Sequence, residues 1–128
     1  EIEELLSQAG ASHVMKQYYG DGRLEALSFK IGQVGYKLPA NSEKVKVVLS
    51  ENGVKHKEFD NHCENVAWRV IKDWLHSQLS LIQIGQAELE QVFLPYAYNG
   101  RQTVYELYKE GRLNKLLNAP KELGQVEE

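Results

Sequence analysis

Between Val66 and Ile82, the apolar residues Ala67, Val70, Ile71, Trp74, Leu75, Leu79 and Ile82 recur at spacings of three and four. That is the period of one face of an α-helix. Trp68 and Trp74 both lie on this stretch, which makes the helix the organising element of the core. The opposite face carries Arg69, Lys72 and His76, three hydrogen-bond donors on successive turns. Asn61-His62-Cys63-Glu64 matches a capping box and predicts the start of this helix, which runs to about Ile84 and stops at Gly85.

Before it, the period changes twice. Ile2, Leu5, Leu6 and Ala9 share one face of a short helix that ends at Gly10. From Ser12 the pattern reads as strands: Val14 to Tyr19, a Gly20-Asp21-Gly22 turn, Arg23 to Ile31, a Gly32-Gln33 turn, then Val34 to Leu38. Leu27, Phe29, Ile31, Val34, Tyr36 and Leu38 are assigned to the helix-facing side. Pro39 to Ser42 closes the sheet, since a proline has no N–H for a ladder. A helix follows over Glu43 to Asn52, burying Val45, Val48 and Leu49. Val54 to Asp60 reads as a charged connector, the segment expected to be most mobile. Glu88 to Leu94 is a short helix ended by Pro95, and Asn99-Gly100 is a turn. A second capping box, Thr103-Val104-Tyr105-Glu106, opens a helix ending near Gly111. Leu113, Leu116 and Leu117 form one more apolar patch.

Consecutive strands with helices around them argue against a parallel βαβ sheet. The expectation is an α+β domain, a three-stranded antiparallel meander packed on helices, in the order α-β-β-β-α-α with a helical C-terminal segment. Residues 1–120 are expected to form one domain and 121–128 a polar, frayed tail. A chain of 128 residues that is 42% hydrophobic and 26% charged suits one globular core. A single cysteine, Cys63, excludes an intrachain disulfide framework and fits an intracellular setting. No apolar run approaches the ~20 residues that span a bilayer, and no membrane partner is expected. The formal net charge of −3 means that nucleic-acid binding requires a local basic patch on an acidic body.

Several blocks together resemble small proteins encoded by tailed bacteriophages and prophages. They are Gly10-Ala11-Ser12, Gly22 to Phe29, Lys37-Leu38-Pro39-Ala40-Asn41, Val66 to Trp74, Val92-Phe93-Leu94-Pro95-Tyr96 and Asn99 to Val104. The likeness covers most of residues 10–108. It implies a phage origin and hence the cytoplasm of an infected bacterial host, and it assigns no catalytic residue. The order α-β-β-β-α is also similar to that of single-strand annealing proteins of phage recombination, a likeness of topology alone.

Catalytic chemistry finds little support in these residues. His56, His62 and Cys63, with Glu58, Asp60 and Glu64, lack the paired spacings of a closed zinc site. Cys63 and His62 are adjacent on a helix, about 100° apart, so His62 is badly placed as a base. Cys63 reads as a small buried hydrophobe. No phosphate loop, nucleophile elbow or metalloprotease His pair occurs. The chain is expected to be no enzyme and to use no cofactor or metal.

Two candidate surfaces remain. Strand alternation places Lys16, Tyr18, Lys30 and Lys37 on the sheet face away from the helices. Lysines with an aromatic on a flat sheet hold single strands by phosphate attraction and base stacking. With Arg69, Lys72 and His76 they form the candidate nucleic-acid site of a phage replication or recombination accessory protein. The alternative is a protein-binding inhibitor or adaptor that engages a host defence or replication protein through Phe93, Tyr96 and Tyr98. A half-solvated sheet face and a core-locking aromatic segment are the plainer readings of the same residues.

Overall fold

A computed structural model describes residues 2–55 and 59–120. Its architecture is α+β, with four antiparallel strands in the order β1-β2-β3-β4. β1 covers Ala11–Tyr18, β2 Leu24–Ile31, β3 Val34–Pro39 and β4 Ala97–Tyr98. The first three form the expected meander. The β2–β3 hairpin is tight because Ile31 pairs with Val34 and Gly32 takes φ +62°, the positive φ that a II′ hairpin requires at its first loop residue. The fourth strand was not anticipated. It is two residues long, too short to show a period, and pairs Tyr98 with Gly35 and Ala97 with Tyr36.

Helix α1 (Ile2–Gln8) buries Ile2 and Leu6. The long helix α3 (Phe59–Gln83) buries Cys63, Ala67, Ile71 and Leu75. These four are spaced by four, so the stripe points one position away from the one expected. Val70 is consequently 58% exposed, while Trp68 and Trp74 flank the stripe half-buried. Helix α3 begins two residues before Asn61, because Phe59, one turn before Cys63, continues its apolar line. The capping box proposed at Asn61 therefore lies inside the helix. Gly85 follows its last turn with φ +78°.

Helix α2 (Ser42–Glu51) leaves Val48 exposed instead of buried. Helix α4 (Leu89–Phe93) delivers Phe93 to the core. Helix α5 (Val104–Lys109) starts with the capping box read from sequence. Thr103 N–H donates to Glu106 Oε1 at 2.9 Å, and Glu106 N–H donates to Thr103 Oγ1 at 3.2 Å. Helix α6 (Asn114–Leu117) leaves Leu116 and Leu117 exposed. Of the connector expected over 54–60, residues 56–58 lie outside the described residues, as does the tail 121–128.

The core is one sheet face covered by helices. Phe29, Tyr36 and Leu38 meet Leu6, Ile71, Leu75 and Phe93. Phe93 is 0% exposed and sits edge-on to Phe29 at 5.4 Å and to Trp74 at 5.8 Å, centroid to centroid. Edge-on pairs are a preferred aromatic geometry and add stabilisation beyond area burial. No described helix is long and apolar enough to cross a membrane.

Candidate nucleic-acid interface

The register of β1 decides where its side chains go, and it moves two of the expected site residues. Directly opposed residues of an antiparallel pair share a face. Val14 pairs with Phe29 and Lys16 with Leu27, so Val14 and Lys16 point to the helix side. Tyr18 pairs with Leu24 after an irregularity at Gln17 and stays with Lys16. The placement of Lys16 and Tyr18 beside Lys30 and Lys37 is thus corrected. Edge strand β1 carries polar residues at both parities, so its own alternation does not say which side is buried.

On the helix side, Lys16 Nζ lies 4.5 Å from the ring centroid of Trp68. A cation over a tryptophan face is held by the ring quadrupole, by ~0.5–1 kcal/mol at exposed sites. Lys16, Trp68, Arg69 and Lys72 then line one cleft of about 340 Å³, together with Ile2, Glu3 and Asn65. Three cationic side chains therefore share this lining, and Glu3 is the carboxylate among the described residues that line it with them. Trp68, Lys72 and His76 follow each other at intervals of four along α3, one row on its surface. His76 lines the adjoining depression with Leu5 and Gln8 of α1. Tyr18, 54% exposed, stands two residues along β1 from Lys16, roughly 6.6 Å at strand rise.

The other sheet face is less basic than expected. Lys30 is exposed opposite His13. Lys37 Nζ is 3.2 Å from Glu25 Oε2 and 5.0 Å above the Tyr98 ring. Its charge is already balanced. Ser28 Oγ donates to Gln17 Oε1 at 2.6 Å. The seven residues proposed for nucleic acid therefore divide into two groups, with Lys16, Tyr18, Arg69, Lys72 and His76 on one side of the sheet and Lys30 and Lys37 on the other.

No protein-family model, curated protein or solved structure matches this chain.

The three aromatics named as a partner surface differ in burial: Phe93 is core, Tyr96 packs partly buried against it, and Tyr98 lies outside it. Phe93 is corrected outright, because a fully buried ring has no surface to offer. Tyr96 is half-buried and edge-on to Trp74 at 5.5 Å. Tyr98 donates its hydroxyl to the Gly100 carbonyl at 3.0 Å beneath Lys37. After the short helix, a 3₁₀ turn over Leu94–Tyr96 carries Pro95 and leaves Leu94 exposed.

Cys63 is buried, and burial pushes its thiol pKa up, with Asp60 adding to the effect and Lys46 opposing it. A thiol held protonated is a poor nucleophile and a poor metal ligand. Among the described residues, no three His, Cys, Asp or Glu side chains converge as a metal site. Sequence reasoning took both tryptophans for core and did not place Trp68 on the candidate cleft, which it lines while packing partly buried against the core. The available signal was its position, one turn before Lys72 and beside Arg69.

Proposed function

We propose that this protein binds single-stranded nucleic acid, as a non-enzymatic accessory of phage replication or recombination, along the α3–β1 side of the domain. The observation that carries the reading is the convergence of Lys16, Arg69 and Lys72 on one cleft around Trp68. A body of net charge −3 repels a polyanion in general, so the shared lining of Lys16, Arg69 and Lys72 is where its surface would receive one. Lys16 already covers one face of Trp68, so the tryptophan's part is to aim the ammonium. Stacking falls to Tyr18, which is exposed on the same face. Phosphate attraction from the cleft and one ring for a base are the two parts of sequence-tolerant single-strand binding. The phage setting rests on the resemblance of the sequence blocks.

Photocrosslinking with a 5-bromouracil-containing strand tests the location. Crosslinked peptides should contain Tyr18 or Trp68. Crosslinks confined to Met15, Lys30 or Tyr98 would put the strand on the opposite sheet face and reject this site.

A further inference from the structure

At the end of the sheet where β3 finishes lies a pocket of about 390 Å³ whose walls include Tyr19, Tyr96 and Tyr105, with Glu25, Lys37 and Asn41 also lining it. Tyr19, Tyr96, Glu25 and Lys37 are each held by a further contact. The Arg23 guanidinium lies 5.0 Å over Tyr19 and is itself tied to Asp21 at 2.7 Å. Tyr96 abuts Trp74. Glu25 and Lys37 form a half-buried ion pair at 3.2 Å. Glu106, also on the lining, has its Oε1 committed to capping Thr103.

We propose that this pocket takes a single nucleobase. The inference deepens the reading of the protein as a single-strand binder, because Tyr19 directly follows the stacking residue Tyr18, where a strand leaving the cleft would pass. Three rings supply planar walls. The carboxylate of Glu25 accepts from a base amino or imino group, while the ammonium of Lys37 and the amide of Asn41 donate to a ring nitrogen or carbonyl. The volume is near the lower limit of the ~300–1,000 Å³ range for small-molecule pockets, which suits one base and its sugar. An organic cation is the competing occupant for an aromatic site with carboxylates. Here Lys37 already supplies the cation, lying 3.2 Å from Glu25 and 5.0 Å over Tyr98.

The test is an NMR titration of the full chain with adenosine, cytidine and thymidine, with choline and inorganic phosphate as control probes. At least one nucleoside should shift the resonances of Tyr19, Tyr96 and Tyr105 saturably, and the control probes should not. Tyr105→Ala, at a half-exposed position, should weaken that nucleoside by about 5- to 150-fold, the range for losing one stacked base. Choline shifting these tyrosines while no nucleoside does would overturn the inference, as would unmoved tyrosines with every nucleoside. The arms keep the two readings apart. Nucleoside binding without oligonucleotide binding leaves a free-nucleoside site and removes the strand reading. An oligonucleotide held at Lys16, Arg69 and Lys72 without nucleoside shifts removes the pocket alone.

Discussion

Replacing Phe93 by alanine should destabilise this domain more than almost any other single truncation. The ring is fully buried and touches Phe29, Tyr36 and Trp74 at centroid distances of 5.4, 5.7 and 5.8 Å. A buried Phe→Ala change removes about 3–5 kcal/mol, including the cavity left behind. Loss of several ring pairs, at about 0.5–1.5 kcal/mol each, puts this site toward the upper half of that range. Unfolding entropy of about 2.1 cal/mol/K per residue over 128 residues is about 0.27 kcal/mol/K. A loss of about 4 kcal/mol then lowers Tm by about 15 °C. Thermal unfolding followed by far-UV circular dichroism reads this directly. A Tm within about 3 °C of the parent would mean that Phe93 is not packed at the centre of the core, and would restore it as a surface residue for a partner.

Three further outcomes check other parts of the account. Leu75→Ala, at a fully buried position of α3, should lower stability by about 2–5 kcal/mol, whereas Val70→Ser, on the exposed side, should stay within about 0.5 kcal/mol; comparable losses would show that the buried stripe has been misplaced. Cys63 should react with a thiol reagent at pH 8 only as fast as the protein opens, since its raised pKa and burial both suppress the thiolate; instant stoichiometric labelling of the native protein would contradict its burial. The Asp21 carboxyl is held below its usual pKa, first by the Arg23 backbone N–H and then by its guanidinium. A depressed folded pKa gives stability that is present above the unfolded value and lost as pH falls through the folded one. The Tm advantage of the parent over Asp21→Asn should therefore shrink below about pH 4; an advantage that grows with acidity would reverse the assignment.

The elements with strong local signals were readable in the sequence. The long helix showed its 3.6 period, Gly32-Gln33 its hairpin, and Thr103 with Glu106 its capping box, because each is set by chemistry within a few residues. What escaped was set by distant partners. The facing of Lys16 and Tyr18 depends on Val14 pairing with Phe29, a register that an edge strand of mixed polarity does not announce. The two added helical residues, Phe59 and Asp60, are marked in the sequence only by an aromatic ring in line with Cys63. Ala97 and Tyr98 become a strand only because β3 offers an edge. The consequence for the candidate site is specific. Arg69 and Lys72 of α3 do line one cleft, but the lysine that shares it with them, Lys16, lies on the other side of the sheet from the one its alternation suggested.

The salt dependence of single-strand binding tests the central claim most directly. Each phosphate neutralised contributes a slope of about −0.7 in log K against log salt, so Lys16, Arg69 and Lys72 together predict about −2. Replacing any one of them by glutamine should reduce the slope by about 0.7, and replacing all three should abolish binding with the fold intact. Lys30→Gln, on the opposite face, should leave the slope unchanged. A strand that binds with the same slope after all three cleft substitutions, or a parent protein that binds no strand even at low salt, would contradict the account.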